Sequence, residues 1–276
     1  MPKMQTASLM DSRISSVATA LVAATLVALV PLESSAQPDQ FDDANAPPAP
    51  RLADGTIDFG GDGIWSLRWI TSMERQLVGR DDIPFLPWTR AMYEYNAATD
   101  VAYDPQGFCL PPGNPRAMGT PYPAEIIQHR DRIFIVFEGG AHVWREIHMD
   151  GRELPPLEEL NPTFFGYSVG HYEDDGDTLV VETHGYNEST WLNFDGTMHT
   201  DELKTIERFS RPNRNRLHYE TTIIDPGAYS EPWTVAWDIP WTEGAELQEY
   251  ICQENNKYLI ELKDEFGNPF FSDIDF

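Results

Sequence analysis

The chain has 276 residues, with 19 Lys and Arg against 45 Asp and Glu, for a formal charge of −26. So acidic a balance excludes a nucleic-acid binder, which needs a basic footprint for phosphate contacts, and docking on an anionic membrane surface. Hydrophobic residues make up 41% and aromatic residues 12%, enough to build a core and to exclude wholesale disorder.

Residues 1–36 read as a signal peptide. Lys3 and Arg13 stand in a polar leader, residues 17–30 carry no charge, Pro31 ends the run, and Ser34 and Ala36 supply the small residues of a cleavage site. The run is shorter than the roughly 20 apolar residues that a membrane span needs. The expected location is periplasmic or secreted, with no stable membrane insertion after cleavage. Residues 37–62, rich in Pro, Asp and Gly, read as a flexible segment, and residues 63–276 as a single β-rich domain. Cys109 and Cys252 are the only cysteines. In an oxidising compartment they are expected to pair, closing a loop of about 140 residues worth on the order of 4–5 kcal/mol. The alternative is two separate buried thiols.

In chain order, the first strand is read over 64–70. The best helix lies within 84–98, near 87–98, with Pro87 in its first turn and Met92, Tyr95 and Ala98 at helical spacing. Residues 104–123 hold six prolines. They form no regular element and read as a long covering loop or lid. Alternating apolar runs then predict strands at 132–138 and 141–149, 167–173 and 178–184, 203–210 and 216–224, and 233–239 and 246–252, with a short helix at 256–265. Consecutive hairpins without helices between them predict an all-β antiparallel meander. Exposed sheet edges are hazardous, so closure into a lipocalin-like barrel is the first reading and a β-sandwich the second.

A run of motifs carries a family resemblance. Cys109 to Gly113 with Pro115 and Arg116, then Pro121-Tyr122-Pro123 with residues 125–128, precede Arg145 and Met149 to Arg152. The densest stretch joins Ser168-Val169-Gly170 to residues 177–183, Asn187, Thr190-Trp191-Leu192, His199-Thr200, Leu203 and Glu207-Arg208-Phe209. Over roughly residues 50–255 the chain resembles a large family of exported bacterial β-rich proteins of unassigned function. The resemblance implies export and a β-rich fold and supplies no mechanism. Where that family carries a basic residue and Trp, this chain has His171 and Tyr172.

Face assignment nominates the chemistry. In 141–149, Val143, Arg145 and Ile147 share one side, which places Arg145 inside the barrel, where a guanidinium needs a carboxylate such as Glu182 or Glu207. Arg145 reads either as a structural ion pair or as an anchor for an anionic group. Glu182 shares the other strand face with His184, and His199 follows the Asp195-Gly196 turn, so Arg145, Glu182 and His199 are the candidate catalytic set for acid–base chemistry. Arg116, Tyr122, His184, Asn187, Trp191 and Glu207 are the candidate binding residues. Solvated strand faces, turn capping and core packing are the plainer readings of these positions.

No His-Glu-x-x-His motif, zinc spacing, P-loop or dinucleotide fingerprint occurs, so no metal site and no cofactor is read. Residues 166–170 match G-x-S-x-G, but strand-like sequence follows where a nucleophile elbow needs a helix. The expected ligand is a small apolar or aromatic molecule in an internal pocket, either turned over by a lyase, isomerase or hydrolase step or carried without catalysis. An envelope interaction protein using its acidic surface is a further alternative. The sequence leaves catalysis and oligomeric state open.

Overall fold

A computed structural model describes residues 45–99, 101–140, 143–254 and 256. The signal peptide expected at residues 1–36, residues 37–44, positions 141 and 142 and all but Asn256 of the helix expected at 256–265 lie outside the described residues. Nine strands follow in chain order: β1 (Gly63–Trp65), β2 (Ala124–Gln128), β3 (Arg132–Phe137), β4 (Trp144–His148), β5 (Tyr167–Glu173), β6 (Thr178–His184), β7 (Lys204–Asn213), β8 (Arg216–Ile224) and β9 (Trp233–Glu243). Each pairs with the next, and β1 pairs with both β2 and β9, which closes the sheet into a barrel without a free edge.

Alternation decides what faces inward. Thr205, Glu207, Phe209 and Arg211 of β7 are buried, as are Leu217, Tyr219, Thr221 and Ile223 of β8 and Trp233, Val235, Trp237 and Ile239 of β9, each separated from the next by a more exposed residue. β4 and β6 add Arg145, Ile147, Leu179, Val181 and Thr183 to the same interior. The β5–β6 turn is a left-handed run, with φ of 53° at Asp174, 55° at Asp175 and 93° at Gly176. Asp tolerates this conformation through local side-chain bonding, as in the Asp174 carboxylate accepting from Thr178 Oγ1 at 2.9 Å.

Five details depart from the sequence reading. The meander contains one parallel pair, β4 with β5, held by Ile147 opposite Ser168 and His148 opposite Val169. Residues 149–166 include Pro155, Pro156 and Pro162, which have no ladder donor, so the chain returns along the flank instead of forming a hairpin. The first strand ends at Trp65, and residues 246–252 form no strand, because β1 already occupies the edge of β9. Residues 51–62 are packed, not loose: Ile57 and Phe59 are buried, Ile57 N donates to Gly176 O at 2.8 Å, and Trp65 Nε1 donates to Phe59 O at 2.8 Å. This segment closes one end of the barrel. Helix α1 (Pro87–Ala98) buries Thr89 and Asn96, while Tyr95 is exposed. It docks through hydrogen bonds, Thr89 Oγ1 to Ala228 O at 2.6 Å and Asn96 Nδ2 to Gly196 O at 3.0 Å, and not through the apolar stripe its spacing suggested.

The other end is covered by residues 66–123 and 185–203. The proline-rich loop contains only two short 3-10 turns, Pro105–Phe108 and Arg116–Gly119. Between them it dips into the barrel, where Asn114 Nδ2 donates to Glu207, and within the second turn Met118 O accepts from Trp237 Nε1 at 3.2 Å. Among the described residues, no helix is long and apolar enough to cross a membrane.

Candidate functional site

Inside the barrel, Arg145 and Glu207 form a bidentate pair whose side chains are 1% and 0% exposed. Arg145 Nη1 donates to Glu207 Oε1 at 3.0 Å, and Nη2 to Glu207 Oε2 and, at 2.8 Å, to Thr183 Oγ1. Nε and Nη2 also reach Ser168 Oγ, at 3.2 and 3.1 Å. Glu207 accepts further from Tyr219 OH at 2.7 Å and Asn114 Nδ2 at 3.1 Å. Burial acts to lower the Arg145 pKa, but the Glu207 carboxylate outweighs it and holds the guanidinium above the ordinary arginine value. Burial first, then the Glu207 charge, pushes the Tyr219 phenol well up. A cation whose donors are this fully engaged has little left for a substrate anion. A flank groove of about 440 Å³ at the short β4–β5 seam touches Arg145 and Ser168, yet Arg145 is only 2% exposed. Ser168 of the G-x-S-x-G match sits within β5 as a partner of Arg145, with no elbow around it.

The other two proposed catalytic residues are elsewhere, so the set of three does not converge. Glu182 lies on the outer face of β6, paired with Lys204 at 2.6 Å, because strand alternation sends it opposite to Thr183. His199 is buried among loops: Nδ1–H donates to Thr200 O at 2.9 Å, which leaves Nε2 to accept from Thr190 Oγ1 at 2.7 Å. Burial holds its pKa below the ordinary histidine value. The unfolded chain therefore takes up a proton first as pH falls. The stability that neutral His199 contributes is complete above pH ~6.5 and is lost as the pH drops below that. Thermal melts from pH 8 to pH 5 are expected to show a steeper acid-side fall in the native protein than in His199→Gln.

Of the proposed binding residues, Glu207 belongs to the interior pair. His184 donates from Nε2 to Pro155 O at 2.7 Å on the outer flank, Asn187 accepts from Ser189 N at 3.0 Å within a turn, and Trp191 is buried. Arg116 and Tyr122 do meet, in a cleft of about 670 Å³ on the loop-covered end of the barrel. The cleft is outside the barrel, not within it, because core side chains and the polar network occupy the interior. On one side Trp69 and Phe194 stand edge to face, with ring centroids 5.4 Å apart. On another, Tyr122 and Tyr250 lie 4.8 Å apart, and Tyr122 OH donates to Tyr250 OH at 3.3 Å. Gly139 permits this placement, since a Cβ there would come 2.1 Å from Tyr122 Cγ. Burial and the Tyr122 contact push the Tyr250 phenol up to about 12, so it remains a neutral hydroxyl.

The polar part of the cleft is equally defined. Arg116 Nη1 and Nη2 donate to Asp104 Oδ1 and Oδ2 at 2.7 and 2.6 Å, with both side chains buried. Asn193 also lines the cleft, and its buried Nδ2 has no hydrogen-bond partner among the described residues. Asp195 rigidifies the turn beside it, accepting from Thr197 Oγ1 at 2.5 Å and Met73 N at 3.2 Å. The Cys109–Cys252 disulfide joins the proline-rich loop to the segment that carries Tyr250.

Asp104, Asn193, Phe194 and Tyr250 were not singled out in the sequence. One signal for the first was present: Asp104 and Arg116 are the only charged residues in 104–123, and an isolated acid and base in an apolar loop are natural partners. Among the described residues, no group of three or more His, Cys, Asp or Glu side chains gathers as a metal site. Comparison with protein-family models, with curated proteins and with solved structures finds no match for this chain.

Proposed function

We propose that this is an exported small-molecule binding protein, related to the exported β-rich family its motifs resemble, and that its site is the cleft at the loop-covered end of the barrel. The observation that carries the reading is a 670 Å³ space walled by Trp69, Phe194, Tyr122 and Tyr250 above a buried Arg116–Asp104 pair. Apolar walls with a few placed polar groups are the usual composition of a ligand site. The disulfide suits an oxidising compartment, in keeping with the leader read at residues 1–36. Binding is favoured over turnover because Arg145, Glu182 and His199 occupy three separate environments, and the buried charges of the cleft neutralise each other.

Trp69 tests the reading cleanly. It is 57% exposed, so Trp69→Ala removes a wall of the cleft without opening the core. The expected result is about tenfold weaker binding of a naphthalene-based fluorescent probe, in line with the loss of an aromatic anchor, at an unchanged melting temperature. Equal affinity in the variant would place the probe elsewhere.

A further inference from the structure

We infer that the cleft selects uncharged aromatic molecules bearing a hydrogen-bond acceptor, such as a ring carbonyl, and that Asn193 reads the acceptor. This rests on the cleft being the binding site, and it adds the chemical class of the ligand. Asn193 lines the cleft and is 1% exposed, and its buried amide nitrogen has no hydrogen-bond partner among the described residues. A buried donor left unpaired is costly, so a ligand that supplies an acceptor gains what a hydrocarbon cannot.

The other polar groups argue for neutrality. Among the described residues Arg116 is the only cation lining the cleft, and each of its terminal nitrogens donates to Asp104, whose Oδ1 also accepts from Gln106 N at 3.0 Å. An anion would find the Arg116 charge already neutralised by Asp104, and it would approach a chain of formal charge −26 with Glu254 also lining the cleft. A cation offers no acceptor to Asn193 and would be stripped of water against four aromatic walls. The paired rings on two sides favour a flat ring system that stacks or meets them edge to face.

The test uses four probes of one shape: naphthyl methyl ketone, ethylnaphthalene, naphthoate and naphthylmethylammonium. Each is titrated into the full chain by calorimetry, and the ketone and ethylnaphthalene are repeated with Asn193→Leu and Asn193→Asp. The ketone is expected to bind about tenfold more tightly than each of the other three. Asn193→Leu should abolish its advantage over ethylnaphthalene while leaving ethylnaphthalene within about threefold of its native affinity. If Asn193→Leu fails to fold, Asn193→Asp, which replaces the donor by acceptors at nearly the same shape, should weaken the ketone selectively. Equal binding of ketone and ethylnaphthalene, or tightest binding of a charged probe, would overturn the inference while leaving the cleft as a binding site. No binding by any of the four would overturn the cleft reading itself.

Discussion

Arg145→Met is expected to destabilise the fold by about 3–5 kcal/mol, the usual consequence of stranding one member of a buried ion pair. The substitution preserves much of the side-chain volume, so a cavity is not the main cause. What it leaves is a Glu207 carboxylate at 0% exposure with Tyr219 and Asn114 as remaining donors and no counter-charge, and the Ser168 and Thr183 hydroxyls without their shared donor. Equilibrium urea unfolding measures the loss. The double variant Arg145→Met, Glu207→Gln should recover part of it, because Gln keeps hydrogen-bonding capacity toward Tyr219 and Asn114 without a buried charge. A coupling energy near ~2 kcal/mol in the double-mutant cycle would establish the pair as a unit. A single variant as stable as the native protein would show that the interior admits water and that the barrel is not packed as described.

The second large effect belongs to the disulfide. Cys109 and Cys252 are 143 residues apart in sequence, and in the chain-entropy model a loop of that length contributes about 5 kcal/mol by restricting the unfolded chain. Replacing both cysteines by serine is expected to lower the melting temperature by roughly 10–20 °C for a domain of this size. The bond also has a local consequence. Beyond β9 the chain reaches the cleft with few ties to the barrel, Gln248 N to Glu138 Oε2 at 2.7 Å among them, before the disulfide anchors it. Tyr250 and Cys252 both line the cleft. Serine replacement should therefore weaken probe binding even at temperatures where the variant is fully folded. Unchanged affinity in the folded variant would show that Tyr250 holds its place unaided.

What the sequence disclosed follows from the range of each interaction. Period-2 alternation is local, so β5 and β6 were read with their observed limits, and the inward side of Arg145 and Ile147 was assigned correctly. Barrel closure followed from the number of hairpins and the cost of an open edge. The parallel β4–β5 contact was missed because a long, proline-rich return of this kind carries no register signal. Ile57 and Phe59 were missed because two apolar residues among Pro, Asp and Gly show no periodicity, although the barrel end captures them. The candidate site was the least legible part. Trp69, Asp104, Arg116, Asn193 and Tyr250 come from separate loops, and only the closed barrel brings those loops to one end. Arg145 stood out because a charge in an apolar alternation is conspicuous, and it proved to be held by Glu207, one of its two expected partners.

The central claim is that ligands occupy the loop-covered end of the barrel and neither its interior nor its outer face. Photolabelling tests it most directly: the full-length protein is irradiated with a bound naphthyl diazirine, and the adducts are located by peptide mapping. The account predicts labelling of Trp69, Tyr122, Phe194 and Tyr250, suppressed by excess naphthyl methyl ketone. Labelling concentrated on the inward residues of β6 to β8, or on Phe134 and Trp144 of the outer face, would contradict it.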